Sequence, residues 1–244
     1  MSSTAFDAVL FDCDGVLVDS ERITNQVLAQ MLGELGWPIT PEESLRIFLG
    51  KMVKDEAALI EANTGVALTE DWLAQFRARR DAALAREVAE IPGACAAVRE
   101  LYRAFDGRIA LASGADRRKI ELQLDKVGLY DCFAAHIHSG HEMPRGKPHP
   151  DVYLAAAAGL GVDPARCAVV EDSVTGALAG LAAGATVFGY SPDEPGHSSA
   201  DALRDAGVAQ VFTRMAQLPS LVAQWHARAP GAMDRADGTN ARRA

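Results

Sequence analysis

Asp7-Ala8-Val9-Leu10-Phe11-Asp12-Cys13-Asp14-Gly15 is the stretch that decides the fold of this chain. The apolar run from 8 to 11 predicts a short, buried parallel strand. The strand ends at Asp12 and Asp14, whose i, i+2 spacing places both carboxylates on one side of an extended chain. Like charges this close raise each other's pKa unless a cation lies between them. The pair therefore indicates a metal ion, a shared proton or both, unless the two acids only shape the turn at Gly15.

The composition is that of an acidic globular protein. A chain of 244 residues can bury one large core or two small ones. The formal charge is −9 and no basic run is present, so nucleic acid is not expected as a partner. No signal peptide or membrane span is expected. The four cysteines form no Cys-x-x-Cys pair, which predicts a reducing cytoplasm; they are Cys13, Cys95, Cys132 and Cys167. Cys13 itself is interpreted as a packed small residue that points away from the acids.

The pattern between residues 19 and 88 is helical. Apolar residues recur at three- and four-residue spacing over 23–35, and Gly36-Trp37-Pro38 ends this helix. Thr40 before Pro41 predicts a helix N-cap. After a turn over 49–54, further helices are predicted over 55–63 and 69–88. Because this region has no strand signal, we predict a small helical domain inserted directly after the first strand.

Strands and helices alternate after Ile91-Pro92-Gly93, which predicts a doubly wound parallel sheet of the α/β class. We expect an α/β core from residues 1–18 and 89–228, a helical cap from 19–88, and a disordered Pro/Gly/Arg/Asp-rich tail at 229–244. The remaining strands are predicted over 108–112, 135–138, 167–170 and 186–188, with an edge strand at Val211 and Phe212, and the remaining helices over 94–105, 117–127, 150–160, 174–183 and 218–227.

Two other predicted strands also end in polar residues. At Ser113-Gly114 a hydroxyl and open backbone N–H groups could cradle a phosphate, or the pair could be an ordinary turn. Glu171 and Asp172 follow an apolar strand and need a cation, unless Asp172 only caps the next helix. Lys147, between Gly and Pro, could supply a positive charge to the phosphate, or be a solvated loop lysine.

A nucleotide-binding P-loop is excluded at this lysine. Gly140 and Gly146 are separated by five residues where the motif needs four, and Pro148 replaces the required Ser or Thr. His141 and His149 lie near Lys147, but without a second histidine at ligand spacing they are interpreted as loop residues.

These elements, in this order over about residues 7–190, resemble the motifs of the haloacid dehalogenase (HAD) superfamily of phosphotransferases. The decamer Asp-Cys-Asp-Gly-Val-Leu-Val-Asp-Ser-Glu at 12–21 is most similar to the branch that contains phosphatases, including phosphogluconate-phosphatase-like members, and β-phosphoglucomutases. The resemblance implies that Asp12 is the nucleophile, Asp14 the general acid/base and the helical insert a cap. It further implies the following ligands: Ser113, Gly114 and Lys147 for the phosphoryl group, and Asp12, Asp172 and the Asp14 backbone carbonyl for Mg²⁺, with Glu171 in the second sphere or bound through water.

Two reactions remain open within this resemblance, hydrolysis and phosphosugar mutation. The mutases of the branch carry a His at the position of Thr24, an Arg within the turn at 51–54, and Ser and Lys-Asn where this chain has Ala115, Asp116 and Arg117. We therefore expect a Mg²⁺-dependent phosphatase that acts on a sugar, polyol or sugar-acid phosphate. The alternatives are a β-phosphoglucomutase-like enzyme and, from another class, a phosphometabolite-binding protein without turnover. A monomer or homodimer is expected.

Lys51 and Lys54 lie in the predicted cap loop. Facing the site, they could recognise an acidic or polyhydroxyl substrate. They could equally be exposed lysines at the start of a helix. We predict them as substrate-binding residues.

Overall fold

The structure, a computed structural model, describes residues 5–48, 51–192 and 194–225. The tail predicted at 229–244, the end of the predicted last helix, and Leu49 and Gly50 of the predicted turn lie outside these ranges. The described residues form one sheet of six parallel strands in the order β3-β2-β1-β4-β5-β6. The strands are β1 (Ala8–Phe11), β2 (Ile109–Ser113), β3 (Ile137–Ser139), β4 (Cys167–Glu171), β5 (Thr186–Tyr190) and β6 (Gln210–Phe212).

The sheet register brings the polar strand ends together. Phe11 at the end of β1 pairs with Leu111 of β2 on one side and with Val170 of β4 on the other. All residues of these three strands are buried, as expected of parallel strands covered on both faces. The predicted doubly wound parallel sheet is confirmed, and its first, second and fourth strands end at one edge.

Helices cover both faces of the sheet. One apolar cluster contains Phe11, Leu111 and Val170, and a second cluster on the opposite face contains Leu10 and Val169. Seven helices of the described chain come after the four helices inserted behind β1. They are α5 (Ala94–Ala104), α6 (Arg117–Lys126), α7 (Tyr130–Phe133), α8 (Asp151–Leu160), α9 (Val174–Ala182), α10 (Ala200–Asp205) and α11 (Leu218–Gln224), with 3₁₀ turns at Gly140–Glu142, Pro164–Arg166 and Met215–Gln217.

Residues 19–88, here called the helical segment, contain helices and no strand among their described residues. Its interior is a separate apolar cluster that includes Leu28, Phe48 and Phe76. The chain leaves and re-enters the sheet region at one place, because Val18 and Glu90 form an isolated antiparallel bridge. The helices are α1 (Glu21–Glu34), α2 (Pro41–Phe48), α3 (Ala57–Thr64) and α4 (Glu70–Glu87), with a 3₁₀ turn at Val53–Glu56.

The start of α2 confirms the helix N-cap predicted at Thr40. The Glu43 N–H donates to the Thr40 hydroxyl at 3.1 Å, and the Thr40 N–H donates to the Glu43 carboxylate at 2.8 Å. This reciprocal pair is a capping box. Other boundaries differ from prediction. β3 begins two residues later than predicted, the predicted helix at 55–63 begins as a 3₁₀ turn, and α7 and α10 were not predicted. No helix in the described ranges is long and apolar enough to cross a bilayer.

Candidate active site

Lys147 joins the carboxylates at the ends of β1 and β4. Its Nζ lies 2.9 Å from Asp12 Oδ1, 2.5 Å from Glu171 Oε1 and 3.1 Å from the Tyr153 hydroxyl. Burial alone would lower the pKa of Lys147, but Asp12 and Glu171 outweigh it and raise the pKa, so the ammonium stays charged. Burial is also the main reason why the pKa of Asp12 is raised, to about 7, against the opposing effect of Lys147.

Both oxygens of Glu171 already accept hydrogen bonds. The Tyr153 hydroxyl donates to Oε1 at 2.6 Å, and the Ser173 hydroxyl donates to Oε2 at 3.1 Å. Glu171 is fully buried, and the start of α9 lies against it, since a Cβ added at Gly176 would sit 1.8 Å from Oε1. Glu171 is therefore placed to hold Lys147 rather than to offer a vacant oxygen.

Asp172 has the environment of a metal ligand. It is 4% exposed, and no described donor or cation makes a hydrogen bond or ion pair with its carboxylate. Its pKa is raised well above the ordinary value by burial, and further by the charges of Glu171 and Asp12. One oxygen each of Asp12, Glu171 and Asp172 lie within 4.8 Å of one another. Carboxylate oxygens are the ligands that Mg²⁺ prefers, so Asp12 and Asp172 of this group fit a divalent cation.

The turn after Asp14 brings the backbone up against Asp172. Gly15 has φ +73°, and a Cβ added there would sit 2.2 Å from Asp172 Oδ2, so a side chain is excluded. The Gly15 N–H donates to the Val18 carbonyl at 2.9 Å. Since a trans peptide places its C=O opposite its N–H, the Asp14 carbonyl points away from Val18.

The Asp14 side chain lies apart from the three grouped acids. Lys119 Nζ is 2.8 Å from Oδ2, and Gln123 Nε2 donates to Oδ1 at 2.9 Å, where the Ser20 hydroxyl also donates. Burial would raise the pKa of Asp14, but Lys119 and the three hydrogen bonds outweigh it and lower the pKa. In this arrangement Asp14 is an ionised carboxylate whose oxygens are occupied by protein donors.

Ser113 and Gly114 lie at the end of β2, facing the same cavity as Lys147. The Ser113 hydroxyl accepts a hydrogen bond from the Ala115 N–H at 3.1 Å, and no atom lies within 4 Å of a Cβ added at Gly114. Asp116 then caps α6 and also pairs with Arg80 of the helical segment at 2.8 Å. This ion pair connects the two sides of the cavity.

A cavity of about 400 Å³ lies between these strand ends and the helical segment. Lys51 and Lys54, which were predicted to lie in a loop facing the site, line this cavity. Lys51 Nζ also lies 3.4 Å from Glu56 Oε1. His141, interpreted from the sequence as a plain loop residue, lines it too. Arg77 and Arg80 of α4 also line the cavity.

Sequence reasoning missed the residues that form hydrogen bonds with Asp14 and Glu171. Lys119 and Gln123 are one helical turn apart on α6, and Tyr153 lies on α8. The i, i+4 spacing of the first two places them on one face, which was the only available signal. Cys13 is fully buried in the apolar core, as predicted for a packed small residue, and its thiol donates to Gln123 Oε1 at 3.5 Å.

The family model of haloacid dehalogenase-like hydrolases matches residues 6–184. The chain belongs to this family. The resemblance inferred from the sequence and the expected hydrolase of the haloacid dehalogenase type are thereby confirmed.

The curated relatives of this chain include phosphatases. The chain is 31% identical to the 6-phosphogluconate phosphatase of Escherichia coli K12, over 91% of this chain and 96% of the relative. It is 34% identical to hexitol phosphatase B of the same organism, over 72% and 79%. Among solved structures, a HAD family hydrolase of Deinococcus radiodurans R1 with bound phosphate and sodium superposes with a TM-score of 0.73 at 39% identity, covering 91% of this chain and 96% of that one.

Proposed function

We propose that this enzyme is a Mg²⁺-dependent phosphatase that hydrolyses a small phosphorylated metabolite through an aspartyl-phosphate on Asp12. One observation carries the proposal: Asp12 meets a charged Lys147 on one oxygen and lies in a group of three buried acids with Asp172, at the floor of the cavity. The named relatives, which act on 6-phosphogluconate and hexitol phosphates, support the same reaction.

The residues can divide the displacement into two steps. The Asp12 oxygen that does not contact Lys147 attacks phosphorus, and the ester P–O bond breaks as the leaving oxygen takes a proton from Asp14. Water then attacks the phosphoryl group on Asp12 while Asp14 accepts the water proton, so orthophosphate leaves and both acids are restored. Lys147 screens the phosphoryl charge throughout.

Asp14 must change its contacts to act in this way. A general acid begins protonated, whereas Lys119 and Gln123 hold Asp14 as a carboxylate. We infer that substrate entry and closure of the helical segment replace these contacts, so that Asp14 takes up a proton from solvent and then donates it to the leaving oxygen. Mg²⁺, held by Asp12, Asp172 and the Asp14 backbone carbonyl, would neutralise charge on the phosphoryl oxygens.

Metal removal tests the proposed reaction. Phosphate release from p-nitrophenyl phosphate is expected to fall by about 100-fold or more after treatment with EDTA and to return with Mg²⁺, because the buried acids otherwise repel the phosphate dianion. Mg²⁺ alone is expected to raise the melting temperature, since it binds the folded chain only. Equal turnover with and without Mg²⁺, or none in either, would contradict the proposal. A sugar phosphate recovered with its phosphate at another position would instead establish a mutase.

The cavity wall further supports a sugar-acid phosphate as the substrate. Lys54 makes no ion pair with a described residue, and Arg77 lies 3.9 Å from an exposed Glu70. Arg80, by contrast, is neutralised by Asp81 and Asp116. The pKa of His141 is lowered mainly by burial. The positive charges of Lys54, Arg80 and Arg77 lower it further, whereas Asp116 opposes them, so these groups lie near the imidazole. A substrate carboxylate could pair with Lys54 and Arg77 at this wall.

Removing the wall cations is expected to alter substrate preference. The double variant Lys54→Met with Arg77→Met should lower kcat/KM for 6-phosphogluconate about 10-fold, as expected from two exposed ion pairs of up to about 1 kcal/mol each. Its kcat/KM for glucitol 6-phosphate, which lacks the carboxylate, should change by less than about twofold. The control is Arg79→Met, an exposed α4 residue that pairs with Glu34 and does not line the cavity. Equal losses on both substrates would contradict carboxylate recognition.

A further inference from the structure

The loop after β5 contacts the backbone of the candidate metal site but does not contribute to the lining of the cavity. Residues 194–199 are here called the β5 loop. The Ser198 N–H donates to the Asp172 carbonyl at 3.0 Å, and the Ser198 hydroxyl accepts from the Val174 N–H at 3.1 Å. The Ser191 hydroxyl donates to the Ser198 carbonyl at 2.9 Å. The β5 loop is therefore bonded to the backbone on both sides of the Asp172–Val174 connection.

The same loop also holds the turn that follows Asp14. His197 Nε2 lies 2.9 Å from the Gly15 carbonyl oxygen. Because a carbonyl only accepts, Nε2 carries the proton and donates it. The imidazole packs edge-on against Tyr190 with ring centroids 5.5 Å apart. Its Nδ1 is buried and has no hydrogen-bond partner among the described residues, so Gly15 is the polar contact of this ring.

These contacts act on two adjacent backbone segments of the site. The Gly15 N–H is bonded to Val18 and its carbonyl to His197, so both polar groups of this residue are held. Gly15 in turn lies against the Asp172 carboxylate. One short loop thus bonds the turn after Asp14 through His197 and the strand end at Asp172 through Ser198. The spacing between the two segments depends on both bonds.

We propose that His197 is a positioning residue: its Nε2 proton, donated to the Gly15 carbonyl, holds the turn of residues 12–15 at the separation from Asp172 that a divalent cation requires. This inference depends on the Mg²⁺ site of the proposed function. His197 does not line the cavity, so it acts on the metal site without touching the substrate. Loss of the His197 hydrogen bond is therefore expected to weaken Mg²⁺ binding and to leave recognition of the phosphate ester unchanged.

Two substitutions separate the hydrogen bond from the packing of the ring. His197→Phe keeps an aromatic ring against Tyr190 and removes the donor, whereas His197→Gln places an amide N–H near the position of Nε2. Mg²⁺ affinity of the substrate-free chain is measured by isothermal titration calorimetry. We expect His197→Phe to raise the Kd for Mg²⁺ about 10-fold, as for other groups that orient a metal's ligands, and His197→Gln to stay within about threefold of wild type.

A split in the kinetic constants gives a second readout. With saturating Mg²⁺, the KM for p-nitrophenyl phosphate should change by less than about twofold in both variants. Should the Phe variant fail to fold, His197→Asn replaces it, because its shorter amide cannot reach Gly15. Wild-type Kd in the donor-free variant, or a Gln variant as weak as that one, would overturn the positioning role. If the wild-type chain itself neither binds Mg²⁺ nor turns over substrate, the proposed function fails along with it.

Discussion

Replacing Asp12 with Asn is expected to abolish turnover, with kcat falling by about 10⁴-fold or more, as when other enzymes lose a nucleophile. The amide is nearly isosteric and its oxygen can still accept the hydrogen bond that Lys147 donates to Asp12 Oδ1. It cannot, however, form an acyl phosphate with the substrate. The measurement is phosphate release from p-nitrophenyl phosphate at saturating Mg²⁺.

Folding should survive this substitution. The pKa of Asp12 is raised to about 7, chiefly by burial, so ionising this group near neutral pH opposes folding of the metal-free chain. Because the pKa of Asp12 is higher in the folded chain than in the unfolded chain, the free energy of unfolding decreases as the pH rises through about 7. The metal-free Asp12→Asn chain should therefore melt no lower than wild type at pH 8, a measurement that separates lost chemistry from lost structure.

The control for Asp12 lies in the same motif. Asp19 is an exposed carboxylate, and Asp19→Asn should keep turnover within about threefold of wild type. Acid-quenched wild-type enzyme should carry a phosphoryl group on a peptide containing Asp12, detected by mass spectrometry, and the Asn variant should not. A phosphorylated Asn variant, or one that keeps a tenth of wild-type kcat, would refute the aspartyl-phosphate mechanism.

The sheet and the grouping of Asp12 with Asp172 followed from local patterns, whereas the loop residue Lys147 was placed at the site by the family resemblance. Short apolar runs predict buried parallel strands, and such strands deliver their terminal side chains to one edge whatever the loops between them do. The register of Phe11 with Val170 then brings the next residues, Asp12 and Glu171, side by side. This part of the site depends on strand order, which alternation of strands and helices already constrains.

The separate environments of Asp12 and Asp14 did not follow from the i, i+2 spacing. That rule holds for an extended chain, whereas β1 ends at Phe11 and the backbone turns at Gly15 with φ +73°. Asp14 then meets Lys119 of α6, more than a hundred residues away in sequence. Such a contact depends on how a helix packs over the strand ends, and no local period in the sequence encodes it.

The contacts of Tyr153 and Gly176 with Glu171 were likewise beyond the sequence pattern, for a related reason. Each looks locally ordinary: an aromatic residue in an apolar helix and a small residue in a helix of small residues. Their chemistry arises only because α8 and α9 converge on Glu171, where one supplies a hydroxyl 2.6 Å away and the other leaves space for the carboxylate. The close contact of Gly176 with Glu171 predicts that adding a single methyl group at residue 176 has a large effect on stability and activity.

Gly176→Ala is expected to destabilise the fold and reduce activity together. The new methyl group would lie 1.8 Å from Glu171 Oε1, which is bonded to Lys147 and Tyr153, so either the carboxylate or the start of α9 must move. Separating a buried carboxylate from its cation costs about 3–5 kcal/mol. For a chain of this size, that corresponds to a melting temperature lower by roughly 10 °C, measurable by circular dichroism.

Gly33→Ala is the matched control, since it makes the same substitution in α1 at a position where a Cβ meets no atom within 4 Å. Helix propensity favours Ala over Gly by up to about 1 kcal/mol, so this variant should melt at or above the wild-type temperature and keep its activity. At Gly176 the same gain in propensity is available, and the prediction is that the clash with Glu171 exceeds it severalfold. If the two variants melt alike, the carboxylate has room to move, and the close packing of α9 does not hold Glu171 against Lys147.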